Sequence, residues 1–247
     1  MRFVCLFYLL LSTSFSFADC PPVEWDETVI LKTINDGDTV TLDNDRRIRF
    51  IGINTPEINH RELSQSDPYA LEAKGLLERY IRPGDKLHLV YDKTKQDKYG
   101  RKLAYVYSKT GRNLGLLQLK AGFAQHWVIG KNDKFWRCFQ DAQQQAKLRK
   151  RALWSDFKPL SAKRLQKSDK GYTYISGRIS DKQQTNKGLT LILDRSLSVF
   201  IRKSNVKQFS DSDIDLSLHS KLLINGKLFF SRNKPKIILY HPAQILP

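Results

Sequence analysis

Acidic side chains are the scarce commodity in this sequence: 25 Asp+Glu stand against 42 Lys+Arg, for a formal net charge of +17 over 247 residues. A balance of that sign points to a polyanionic partner, nucleic acid first and an anionic membrane surface second. No clear amphipathic basic helix serves the membrane option. Beyond the N-terminus, no apolar run reaches the roughly 20 residues that a spanning helix needs. Cysteine is sparse as well, with 3 in the chain, and no spacing among them resembles a zinc site. Hydrophobic residues are not lacking. At 40% of the chain, with 11% aromatics, they suffice for a core and exclude a disordered protein. The length allows one or two domains.

Met1-Arg2, the apolar run Phe3–Leu11 and the stretch to Ala18 form a charged, an apolar and a small-residue region in turn. Ser16 and Ala18 stand at the −3 and −1 positions of a cleavage site, so residues 1–18 are expected to be a secretory signal peptide. Asp19 argues against lipoprotein processing at Cys20. Export would leave Cys20 and Cys138, and two cysteines in an exported chain suggest one disulfide, with two free buried thiols as the other reading. The expected location is secreted or periplasmic. The mature chain would carry +16, of which residues 160–247 hold +10 and residues 19–159 hold +6.

Hydrophobic periodicity gives strands at Val29–Ile34, Thr39–Leu42 and Ile48–Ile53, then a helix opening at Pro68, with Asp67 as cap, and ending before Pro83-Gly84. Strands follow at Lys86–Tyr91 and Lys102–Tyr107, a short helix at Asn113–Ala121 and a long one at Asp133–Ala152. Three strands, a helix, two strands and further helices define an α+β protein. Its mainly β part is a five-stranded barrel of the oligonucleotide-binding type with packed helices.

Two clusters carry chemistry. In the first, Asp36-Gly37-Asp38-Thr39 turns the chain, the next strand carries Arg49, and Asn54-Thr55-Pro56-Glu57 closes it. Pro56 fixes the backbone before Glu57. Asp38 and Glu57 thus come toward one mouth with a guanidinium nearby, the set that a hard metal and a phosphodiester require. Taken alone, the stretch also fits a charged hairpin with solvated side chains. In the second, Asp97-Lys98-Tyr99-Gly100-Arg101 places another arginine on a tight turn, which suits a two-sided phosphate clamp or a solvated charged loop.

Together these motifs, in this order and spacing and with the closing Leu153-Trp154-Ser155, resemble the staphylococcal-type thermonucleases over about residues 27–156. The resemblance implies a Ca²⁺-dependent phosphodiesterase acting on DNA and RNA and leaving 3′-phosphates and 5′-hydroxyls. It makes Asp38 a Ca²⁺ ligand and Thr55 a carbonyl ligand. Asn54 stands where the family has an aspartate ligand, which implies weaker binding, since affinity follows ligand charge. Glu57 matches the general base, Arg49 and Arg101 the pair on the phosphate, and Lys98 and Tyr99 lie near the phosphate end of the substrate. The family's base-stacking aromatic is not matched, because its position falls on Val128. Asp36 is read as structural, His60 and Glu62 as solvated loop residues, and His126 beside Trp127 as packing.

Residues 157–170 read as a linker. Beyond it, strands at Tyr174–Ile179, Leu189–Leu193 and Leu197–Ile201, a helix at Asn205–Phe209 and strands at Leu222–Phe230 and Lys236–Tyr240 suggest a second small β domain. A second oligonucleotide-binding-type barrel and an SH3-like module are both open. No catalytic constellation occurs there. DNA and RNA are the expected partners, and no protein partner is inferable. The rival to an enzyme is a non-catalytic nucleic-acid-binding protein on the same fold.

Overall fold

The computed structural model describes residue 20, residues 24–128 and residues 130–246; the expected signal peptide lies outside them. Strands β1 (Glu27–Ile34), β2 (Thr39–Leu42) and β3 (Arg47–Phe50) form an antiparallel meander. A short strand β4 (Gly52–Asn54) and helix α1 (Ala70–Glu78) follow, then β5 (Lys86–Val90) and β6 (Lys102–Ser108). The sheet closes as a barrel in the order β1-β2-β3-β6-β5, with β3 and β6 parallel. Its interior is filled by buried aliphatic side chains such as Leu31, Leu42, Ile48, Leu87 and Leu89. Helix α2 (Leu114–Ala121), strand β7 (Gln125–Trp127) and helix α3 (Trp136–Leu148) complete the first unit.

Three expectations need correction here. The strand expected over Ile48–Ile53 breaks at Ile51. β3 stays in the barrel, and β4 leaves it to pair with β7, a strand the periodicity did not show. Gly52 makes the break possible: its φ is +84°, and a Cβ there would lie 2.7 Å from the Phe139 ring. Helix α1 begins at Ala70 after a left-handed Tyr69, without a side-chain cap. The Asp67 carboxylate accepts instead from the Glu57 backbone N–H at 3.0 Å. Helix α3 is shorter than Asp133–Ala152, because Lys150 and Ala152 have φ of 50° and 41°, where an α-helix cannot continue. Its apolar face (Phe139, Ala142 and Ala146) is buried as expected.

The segment expected as a linker is packed. A short strand β8 (Leu160–Ser161) pairs with the first strand of the second unit, and Ala162 is buried in that unit's core. β9 (Gly171–Thr185), β10 (Gly188–Leu193), β11 (Leu197–Arg202), helix α4 (Lys203–Ser210), β12 (Lys221–Ser231) and β13 (Lys234–Leu239) build a second barrel, with β14 (Ile245–Leu246) on the edge of β12. Its order is β9-β10-β11-β13-β12, closed by β12 on β9, with β11 and β13 parallel. This is the connectivity of the first barrel over again, which decides for the oligonucleotide-binding type of barrel over an SH3-like module.

The two barrels are in contact. Trp154, Phe157 and Tyr174 form an edge-to-face cluster with ring centroids 5.0–5.7 Å apart. The side-chain amide of Gln140 on α3 donates to the Ile245 carbonyl at 2.7 Å, buried. Cys20 and Cys138 form a disulfide with Cα atoms 5.8 Å apart, tying residue 20 to α3.

Candidate active site

The site is set by the Asp36–Thr39 turn. The Asp38 backbone N–H donates to the Asp36 carboxylate at 2.9 Å, which gives Asp36 the structural role expected of it. Gly37 has no room for a side chain, since a Cβ would lie 2.7 Å from that of Ala73 and 2.8 Å from Thr55 Cγ2. Its carbonyl accepts from the Gln118 side chain at 2.8 Å, and the same amide donates to the Ala73 carbonyl at 2.7 Å. Gln118 therefore pins the turn to α1 and α2. Nothing in its sequence context marks it, because its partners lie 45 and 81 residues away.

Asp38 is only 2% exposed. Its carboxylate accepts from the Thr55 backbone N–H at 2.8 Å and the Thr39 hydroxyl at 3.1 Å, and it pairs with Arg49 at 3.0 Å. Burial, with Asp36 adding to it, outweighs Arg49 and the Thr55 N–H and raises the Asp38 pKa to about 6.

Arg49, 7% exposed, lies inside this network rather than on an open surface. Its guanidinium donates to the Phe50 and Ile53 carbonyls at 3.0 and 2.9 Å and to Asn54 Oδ1 at 2.9 Å. One planar fork thus holds Asp38, Asn54 and the bend between β3 and β4 together, a task for which a lysine lacks the geometry.

Glu57 projects into solvent, but its backbone is clamped. Its N–H donates to Asp67, and its carbonyl accepts from the Asp67 N–H at 3.0 Å. The side chain borders two clefts. One, of about 620 Å³, is lined by Glu57, Tyr99, Gly100 and Arg101 together with Arg47 and Lys102. The other, of about 340 Å³, is lined by Asn54, Thr55, Glu57, Asp67 and Gln125. The structure therefore brings Glu57, Arg101 and Tyr99 into one cleft and joins it, through Glu57, to Asn54 and Thr55. Arg47 and Lys102 are cleft residues that the sequence reading missed. The parallel pairing of β3 and β6, with Ile48 beside Lys102, brings them there.

Arg101 is braced by Asp97, Nε donating to the carboxylate at 2.8 Å. Burial works against the Asp97 charge, but the bonds from Arg101 and from the Tyr99 and Arg101 backbone hold its carboxyl below the usual range. Tyr99 is widely exposed, with the Lys98 ammonium 4.9 Å from its ring centroid. His60 is exposed and Glu62 is occupied by Ser64 and Gln65 within its loop. Among the described residues, no group of three or more His, Cys, Asp or Glu forms a metal cluster. The oxygens of Asp38, Asn54 and Thr55 are hard donors, and by donor type they fit a calcium-like cation with a single carboxylate charge.

A closed five-stranded barrel with a carboxylate and basic side chains in one open cleft is the class of fold and site that suits a phosphodiester-cleaving hydrolase. A family model described as staphylococcal nuclease homologue matches residues 47–156. The thermonuclease of Staphylococcus hyicus is 33% identical over 135 residues, covering 53% of this chain and 78% of that protein. The thermonuclease of Staphylococcus intermedius is 32% identical over 132 residues, covering 52% and 76%. Endonuclease YhcR of Bacillus subtilis (strain 168) is 29% identical over 176 residues, which is 66% of this chain but 14% of that longer protein. The chain belongs to the staphylococcal nuclease family.

Proposed function

We propose that the protein is an exported, Ca²⁺-dependent, sugar-non-specific nuclease, hydrolysing DNA and RNA to 3′-phosphates and 5′-hydroxyls. The observation that carries this reading is the cleft in which Glu57 faces Arg101, Arg47 and Lys102. In the proposed reaction Glu57 takes a proton from water as the water oxygen attacks phosphorus. The bond from phosphorus to the 5′-oxygen breaks, that oxygen takes a proton from solvent water to leave as the hydroxyl, and Glu57 returns its proton to solvent. Arg101 sits where charge grows on the phosphoryl oxygens, the position at which a fixed cation contributes most. Arg49 holds Asp38 and Asn54 in place and adds its charge beneath the phosphate, while Lys98 and Tyr99 border the phosphate end. Asp38, Asn54 and the Thr55 carbonyl would hold Ca²⁺, which when bound supplies Lewis-acid stabilisation of the phosphoryl oxygens. The Cys20–Cys138 pairing fits an oxidising compartment and supports export.

Plasmid digestion with Ca²⁺, with chelator and with Glu57→Gln tests the reading. Glu57→Gln is expected to lower the rate ~10²–10⁴-fold, the range for positioned acid–base groups. Undiminished digestion by that variant would remove Glu57 from the chemistry. A second reading, a non-catalytic binder, draws support from Asn54, which leaves Asp38 as the sole carboxylate in its donor set. Absence of digestion by the wild type at millimolar-range Ca²⁺, where weak sites fill, would favour it.

A further inference from the structure

The Glu57 cleft does not end at the first barrel. Gln125 borders both the cleft containing Glu57 and a narrower one, of about 190 Å³, against the second barrel. Trp127, Tyr172 and Asn225 border that one and also the next, of about 480 Å³, between the barrels. The linking residues Gln125 and Trp127 alternate along β7, whose partner β4 places Asn54 opposite Gln125. Three clefts that share walls thus follow one another from Asn54 and Glu57 along β7 to the space between the barrels.

The last of these clefts has the chemistry of a base-binding surface. Tyr172 and Tyr240 are 58% and 53% exposed. Tyr172 lies against Trp127, ring centroids 4.3 Å apart, and the Arg202 guanidinium lies 5.7 Å from the Tyr240 ring centroid. Behind them His126 is 3% exposed with neither ring nitrogen hydrogen-bonded, and His241 Nε2 has the Asp133 carboxylate 3.7 Å away, beyond hydrogen-bond distance. Lys93 and Lys131 border the same cleft, on the side of the first barrel, together with Asp133, whose carboxylate pairs with Lys93 at 2.7 Å and leaves Lys131 as the ammonium open to a phosphate. Aromatic faces, unmatched polar atoms and an ammonium group along these clefts match the three parts of an unpaired nucleotide: base face, base edge and phosphate. The +10 charge of residues 160–247 has the complementary sign.

We propose that the second barrel extends the substrate path: a single strand of nucleic acid held at Glu57 continues along β7 and stacks on Tyr172 and Tyr240. The inference rests on the nuclease reading of the Glu57 cleft. It assigns the stacking role, which Val128 cannot fill, to residues of the second barrel, and it makes a single strand several nucleotides long the preferred substrate.

The test measures binding by the full chain in chelator, so that cutting plays no part. The probes are labelled oligothymidylates of about 3 and about 12 nucleotides, the longer one within the ~4–16-nucleotide site sizes of such barrels. Relative to wild type, the double variant Tyr172→Ala/Tyr240→Ala should bind the longer strand about 30-fold more weakly, as expected for two lost stacking contacts. It should bind the shorter strand unchanged within about twofold, and Tyr172→Phe/Tyr240→Phe should bind both as the wild type does. Unchanged affinity of the alanine variant for the longer strand, or an equal loss in the phenylalanine variant, would overturn the proposal. A chain that cuts but shows no tyrosine-dependent length effect refutes the extended path alone. A chain that shows the effect but never cuts refutes the nuclease reading and leaves the path.

Discussion

Asp67 lies ten residues beyond Glu57 and holds it from both sides of the peptide backbone. Losing the carboxylate should let the Glu57 backbone drift. Asp67→Ala is expected to lower kcat roughly 10- to 100-fold, the penalty typical of small misplacements, with KM little changed. Asp67→Asn, which keeps an acceptor oxygen, should restore most of the rate; equal loss in both variants would count against a positioning role. At the proposed Ca²⁺ position the expectation runs the other way. Asn54 Oδ1 accepts from the Arg49 fork at 2.9 Å. Asn54→Asp adds the missing charge and should tighten Ca²⁺ binding about tenfold, or ~1.4 kcal/mol, read by calorimetric titration. Arg49 itself shows how far residue type falls short of residue role. Its charge was legible in the chain, but only the fold shows that its guanidinium bonds two carbonyls, an amide and a carboxylate.

Among the elements, α1, α2 and the Asp36–Thr39 turn stand or fall together through Gln118. Replacing it by leucine keeps the bulk but leaves the Gly37 and Ala73 carbonyls without their donor. Each unmatched buried group costs about 1–3 kcal/mol, so Gln118→Leu should lower stability by roughly that much or more in urea titrations. A loss of Ca²⁺ affinity should accompany it, because the turn carries Asp38. Strand β7 is the element that sequence patterning could not show. It is three residues long and has no period of its own. It exists because Gly52 lets β4 leave the barrel and offer an edge.

For the whole molecule, the contact between the barrels carries a pH signature. Burial first, and then the charge of His241, push the His126 pKa down to about 3, and burial lowers that of His241 as well, against the pull of Asp133. An unfolded chain protonates both near their ordinary value of about 6.5. Below that pH the unfolded state binds more protons than the folded state, so stability falls as pH falls, by up to ~1.4 kcal/mol per pH unit for each group. Lys93, the Asp133 carboxylate and the Phe139 ring also face this pair. Urea midpoints measured from pH 7.5 to 5 should therefore decline more steeply in the wild type than in His126→Leu; equal slopes would remove His126 as the cause. Removal of residues 160–247 would strip Trp154 of the Tyr174 ring and Gln140 of the Ile245 carbonyl.

By itself, the sequence determined what is local. The turn at Asp36–Thr39, the barrel strands, the short helix α2 and the order of elements in both barrels follow from periodicity and turn chemistry acting within a few residues. The nuclease motifs were legible for the same reason, since each is a short run whose residues act together. Only the tertiary structure decided which partners met across the chain. It placed Arg47 and Lys102 beside Glu57, turned Asp67 from a helix cap into a clamp, packed the expected linker into a second core, and brought the two barrels into contact. Those outcomes depend on pairings between segments tens of residues apart, which the packing of the whole chain selects and no local pattern encodes.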